Sequence, residues 1–127
     1  MIVIDSCGWL EVFAASAHGD LYRPALEVEA DVVVPTVCLL EVARRLRIEV
    51  GEAAAAQAAA LMMQGKIVPL DPAVALEAAR SGPAHRLPCA DSVIYATALA
   101  HDAEVWTHDE HFRGLPGVRF VEAPQTS

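Results

Sequence analysis

Basic residues are scarce in this chain. Nine lysines and arginines face seventeen acids, for a net charge of −8, and only one of the nine, Lys66, is lysine. A nucleic-acid binder normally carries a basic footprint that neutralises phosphates. The overall field here opposes a polyanion, so contact with one needs a local patch or bound cations. Aromatics are also few, 6% of a chain that is 54% hydrophobic, so the core is aliphatic and alanine-rich and disorder is excluded. Cysteine occurs three times, without CxxC spacing, which argues for a reducing compartment and against a disulfide framework or a zinc knuckle. The N-terminus has no basic region or cleavage site. The most apolar run, Ala53 to Met63, is interrupted by Gln57 and is too short to cross a bilayer. The expectation is a cytoplasmic protein with no membrane association. At 127 residues it is one domain, 1–123, followed by a polar tail, 124–127. A mean hydropathy of +0.34 is high for so small a soluble domain, which suggests apolar surface covered by a partner or a second copy.

What is present is an alternation of short β-branched runs with longer helical stretches. Ile2–Ile4, Val32–Val34, Lys66–Val68, Val105–Thr107 and Val118–Val121 read as strands, the last at a sheet edge. Between them the pattern predicts a helix opening at Ser6 and a short one over Leu21–Glu29. A third, capped by Thr36, runs to about Val50, where Gly51 breaks it. An alanine-rich helix follows over Glu52–Gln64, then one over Pro72–Arg80 ended by Ser81-Gly82-Pro83. The last helix, within Leu87-to-Phe112, carries a stripe of Asp91, Ile94, Ala98 and His101. Such alternation implies right-handed crossovers and an α/β architecture, a mainly parallel five-stranded sheet with helices on both sides.

Four acids share a context that most of the seventeen do not. Asp5 and Asp109 follow apolar strands, while Glu41 and Asp91 lie on helices at or near the core-facing stripe. In a parallel sheet, strand ends and the helix starts after them converge on one rim, so the four can meet in one cleft. Their mutual repulsion would be relieved by a divalent cation, and hard oxygen donors favour Mg²⁺ or Mn²⁺. Structural readings stand beside this one. Asp5 and Asp109 suit N-caps, Asp91 suits a helix dipole, and Glu41 suits an i,i+4 ion pair with Arg45. Glu41 discriminates best, because a mid-helix acid has no capping role. His108 and His111, three apart, have transition-metal spacing but read better as solvated. Cys7, Cys38 and Cys89 each lie within three residues of one of the acids, so the site is either oxidation-sensitive or flanked by small buried hydrophobes. The patch Arg44-Arg45-Arg47 either holds phosphate or pairs with Glu41, Glu49 or Glu52.

The order VIDS, TVCLLEV, LPCADSVIYATA, VWTHDEHF resembles the PIN-domain ribonucleases, and more narrowly the VapC-type toxins of toxin–antitoxin pairs. The resemblance extends over nearly the whole chain. It implies a three-layer α/β/α PIN-like fold and a metal-dependent endoribonuclease. Asp5, Glu41, Asp91 and Asp109 would be the catalytic, metal-binding cluster, with Ser6 and Thr107 orienting a carboxylate or water. Arg44 and Arg45 stand as candidates for RNA contact. A small antitoxin protein and homodimerisation are implied as well, with the alanine-rich helix and its Leu61-Met62-Met63 end as the candidate surface. Many relatives carry a further acid where this chain has His111, and Cys7 stands where Ser or Asn is common. Two alternatives share the fold, a catalytically silent interaction module and a housekeeping RNA-processing nuclease. Phosphoryl transfer on another α/β domain is disfavoured. A dehalogenase-like site wants an acid at Cys7, and a receiver-like one wants a lysine near the last strand.

Overall fold

The structure is a computed structural model that describes residues 1–27 and 31–125. Five strands, β1 (Ile2–Ile4), β2 (Val32–Pro35), β3 (Lys66–Val68), β4 (Glu104–Thr107) and β5 (Val118–Phe120), form one all-parallel sheet in the order β3-β2-β1-β4-β5. Val3 is paired with Val33 on one side and Val105 on the other. All three are buried, which is why the central strands read as unbroken apolar runs. Burying each such side chain is worth roughly 1.5–3 kcal/mol.

Seven helices connect the strands among the described residues: α1 (Ser6–Phe13), α2 (Ala17–Asp20), α3 (Arg23–Glu27), α4 (Thr36–Glu49), α5 (Glu52–Met62), α6 (Pro72–Ala84) and α7 (Cys89–Ala100). A 3-10 turn, Glu110–Phe112, precedes β5. From β1 the chain steps outward through β2 to β3, then crosses back to β4 and on to β5. This reversal sends the two sets of right-handed connections to opposite faces. It also opens a crevice between the carboxyl ends of β1 and β4, the topological switch point where open parallel sheets bind ligands.

Several boundaries differ from expectation. The helix expected over Leu21–Glu29 is α3 alone, starting at Arg23, and an unforeseen short helix, α2, precedes it; the expected end at Val28–Glu29 lies outside the described residues, as do the last two residues of the tail. Ser16 caps α2 by accepting the Gly19 N–H at 2.9 Å, and this short-range bond starts a helix too brief to show periodicity. Thr36 does not cap α4, because β2 runs directly into the helix with Pro35 as the cap. Its hydroxyl instead accepts the Leu70 N–H at 3.2 Å. Ser81-Gly82-Pro83 is no break. These residues form the last turn of α6, where Gly82 presses against Ser92 of α7, leaving an added Cβ only 2.7 Å from the Ser92 Cβ. The glycine marks a close helix–helix approach.

The stripe on α7 is wider than predicted, since residues 92–98 are all buried. This helix packs on β1, β2 and β4 and also against α6, where Val93 and Ala96 meet Val74 and Ala78. A helix covered from two sides loses its polar face. In α5, Ala55, Ala58 and Met62 turn inward, so of the Leu61-Met62-Met63 end only Leu61 and Met63 are exposed.

Candidate active site

Asp5 leaves β1 with its N–H still in the ladder, donating to the Trp106 carbonyl at 3.0 Å. The residue is only 3% exposed. One carboxylate oxygen caps α1 by accepting the Ser6 N–H at 2.8 Å. The other accepts the Thr107 hydroxyl at 2.7 Å and the Cys7 thiol at 3.5 Å. Burial raises the pKa of this carboxyl, and the three hydrogen bonds oppose the shift. Thr107 has no exposed surface, so it reaches the Asp5 carboxylate and not a ligand. Its single hydroxyl serves both strand ends, because it also accepts the Asp109 N–H at 3.0 Å.

Glu41 sits on α4 and accepts the Ser6 hydroxyl at 2.7 Å, across 35 residues of sequence. Its expected local partner is engaged elsewhere. Arg45 pairs with Glu49 at 2.8 Å, and Arg47 with Glu52 at the same distance. The ion-pair account of Glu41 is therefore not what the fold builds.

Asp91, in the first turn of α7, keeps 14% of its side chain exposed. Its carboxyl is pushed up to about 7, first by burial and then by the negative charges of Asp5 and Asp109, with Glu41 adding and His111 opposing. Asp109 caps the 3-10 turn, accepting the His111 N–H at 2.9 Å and meeting His111 Nδ1 at 2.8 Å. That nitrogen also lies 3.8 Å from Asp91. The capping roles foreseen for Asp5 and Asp109 and their membership of the cluster thus coexist.

The four acids line one cleft of about 410 Å³ at the switch point. Ser6, Arg44 and Arg45 share its wall, and Leu10 and Leu40 supply apolar edges. Thr107 stands behind it. The histidine pair is split: His111 faces Asp109, whereas His108 turns to the Tyr22 hydroxyl at 2.7 Å. The expectation of oxidation-sensitive thiols fails for two of the three cysteines. Burial pushes the Cys7 thiol up to about 12 and also raises that of the fully buried Cys38, so neither is a thiolate. Cys89 is exposed. His111 is 55% exposed, in keeping with the solvated reading, and it also contacts Asp109. The signal for that contact was the single-residue gap between them.

Chemically, the cleft offers hard oxygen donors with more negative charge than they tolerate alone. Asp91, Asp109 and His111 place one ligand atom each within 4.8 Å of one another, so a divalent cation fits the donor set.

An acid-lined cleft at the switch point of an all-parallel, five-stranded α/β domain is the class that fold and site define. Residues 2–118 match the PIN domain model, and the chain belongs to the PIN-domain family. Among solved structures, a toxin–antitoxin complex from Klebsiella pneumoniae is similar with a TM-score of 0.82 at 18% identity, covering 96% of this chain and 98% of that one. VapBC2 from Rickettsia felis, bound to a DNA fragment from their promoter, gives 0.75 at 15% identity over 96% and 100% of the two chains. VapC20 from Mycobacterium tuberculosis, a sarcin–ricin loop cleaving toxin, gives 0.69 at 17% identity over 82% and 85%. No curated protein matches the sequence.

Proposed function

We propose that this chain is a metal-dependent endoribonuclease, a VapC-type toxin held silent in the cytoplasm by a small antitoxin. The observation that carries this reading is the convergence of Asp5, Glu41, Asp91 and Asp109, from four separate parts of the chain, on one cleft. Burial and its acidic neighbours push the Asp91 carboxyl up to about 7. Acids kept solely as structural groups have no reason to converge against that repulsion.

Asp5, Glu41, Asp91 and Asp109 would hold the Mg²⁺ or Mn²⁺. Such an ion, when bound, supplies Lewis-acid stabilisation of the scissile phosphate and lowers the pKa of a water. The protein's own part is orientation. Ser6 fixes Glu41, and Thr107 fixes Asp5 relative to the Asp109 backbone. Arg44 and Arg45, exposed on the cleft wall, would meet RNA phosphate and so answer the unfavourable overall charge. Leu10 and Leu40 supply the cleft's apolar edge.

Partner binding has its own surface. A groove of about 470 Å³ between α4 and α5 is lined by Leu40, Ala43, Ala55, Ala56 and Ala59, with Arg44 and Arg47 at its margin. Leu40 is 62% exposed and lies in both this groove and the acidic cleft. An antitoxin segment with an apolar face, seated there, would block RNA entry. A homodimer is part of the same reading. The relatives support the assignment by fold, and VapC20, a sarcin–ricin loop cleaving toxin, suggests the kind of substrate to try.

The test is cleavage of a structured RNA by the purified chain with Mn²⁺, Mg²⁺ or EDTA, beside folded Glu41→Gln and Asp91→Asn variants. Metal-dependent cutting, lost by roughly a hundredfold or more in both variants, is expected. Cutting that survives both substitutions places the activity elsewhere. Absence of both cutting and Mn²⁺ binding leaves an interaction module.

A further inference from the structure

Beside the acidic cleft, but not lining it, three side chains from three segments meet. Glu11 comes from α1, His18 from α2 and His108 from the residue after β4, and one ligand atom of each lies within 4.8 Å of the others. All three are half-buried. The two imidazole rings are 4.0 Å apart. The proposed nuclease chemistry uses none of them.

Among the described residues, each side chain is fixed through one polar atom, leaving another without a partner. His18 Nε2 faces the Val121 carbonyl at 2.8 Å. A carbonyl only accepts, so Nε2 carries the hydrogen and Nδ1 is left with its lone pair. His108 Nδ1 is taken by the Tyr22 hydroxyl at 2.7 Å, which leaves Nε2. One Glu11 oxygen accepts the Ser16 hydroxyl, leaving the other. Metal-ligating histidines are oriented in this way, with the second ring nitrogen tied to a carbonyl, carboxylate or other polar group.

The donor set decides the ion. Two neutral imidazoles and one carboxylate match a three-ligand Zn²⁺ site with an open fourth position. Mg²⁺ prefers oxygen and an octahedral shell, so it is poorly served here and well served by the acidic cleft. We propose that Glu11, His18 and His108 form a second cation site, selective for a transition ion of the Zn²⁺ class and distinct from the carboxylate cleft. Bound there, such an ion ties α1, α2 and the exit of β4 together, one residue from Asp109.

The experiment is a calorimetric Zn²⁺ titration of the full chain, stripped by chelator and then kept in excess Mg²⁺ so that the carboxylate cleft is competed. One Zn²⁺ per chain is expected. Affinity should fall roughly tenfold or more in Glu11→Gln and in His18→Gln, and should be unchanged in Asp91→Asn. Co²⁺ absorption of the unmodified chain gives a readout independent of the variants' folding. Intense visible bands report a nitrogen-containing, four-coordinate site, whereas weak six-coordinate bands place the ion among oxygens and overturn the proposal. It is equally overturned by no Zn²⁺ binding, by binding that survives both Gln substitutions, or by binding lost in Asp91→Asn.

Discussion

Thr107 has one hydroxyl with two duties, donating to Asp5 and accepting from the Asp109 N–H, and no contact with solvent. Thr107→Val removes both bonds and leaves a backbone donor without its partner. The expected cost is about 1–3 kcal/mol in urea unfolding, with Mn²⁺ affinity falling about 10–100-fold by calorimetry. Unchanged affinity would show that the hydroxyl only supports the fold. Asp91 gives a second prediction, for the metal-free protein. Its folded pKa, about 7, lies above the ordinary 3.8. The folded state therefore holds a proton that the unfolded chain has released. That contribution to stability is complete below about pH 4 and is lost as pH rises through about 7. Relative to Asp91→Asn, the unmodified chain should lose stability between pH 5 and pH 8 in paired urea titrations at those two values. Metal binding runs the other way, tightening by roughly tenfold per unit of pH up to about 7, because the proton must leave first. Parallel pH curves for the two proteins would mean that Asp91 ionises normally.

At the scale of elements, α7 is the piece on which the others close. Its residues 92–98 are buried, against the sheet on one side and α6 on the other. The approach to α6 is set by Gly82, where an added Cβ would collide with Ser92. Gly82→Ala should therefore destabilise by about 1–3 kcal/mol, measured by urea unfolding. It should also disturb Asp91, one residue before the strained contact, more than the distant α4/α5 groove. A neutral result would mean that the two helices separate freely. The same contact explains why a Ser-Gly-Pro sequence that looks like a stop lies inside a helix.

For the whole molecule, an excess of negative charge and an apolar groove set what it can bind. Divalent cation at a hundred times its Kd should add about 2.7 kcal/mol to the unfolding free energy, read as a rise in Tm that EDTA reverses. Ala56→Arg, on α5 in the apolar groove, should weaken binding of the antitoxin by roughly tenfold or more while leaving RNA cleavage intact, since it puts a charge where apolar surface must be covered. Equal affinity for the two proteins would move the docking surface off α4 and α5.

The central strands β1, β2 and β4 and the acids following β1 and β4 were legible in the sequence, because a strand buried on both faces writes itself as an unbroken apolar run and the polar residue after it marks the sheet rim. Glu41 stood out for a similar local reason, as an acid at the edge of an apolar stripe without a cap to form. Its partner did not, because the Ser6 hydroxyl reaches it across 35 residues and periodicity carries no information at that range. The parting of His108 from His111, and the meeting of His108 with His18 and Glu11, likewise depended on where α1 and α2 come back against the end of β4. Local pattern determined which residues lie at strand ends and on helix stripes. Only the packing of those elements decided which side chains share a cleft, since that depends on how the chain returns through space.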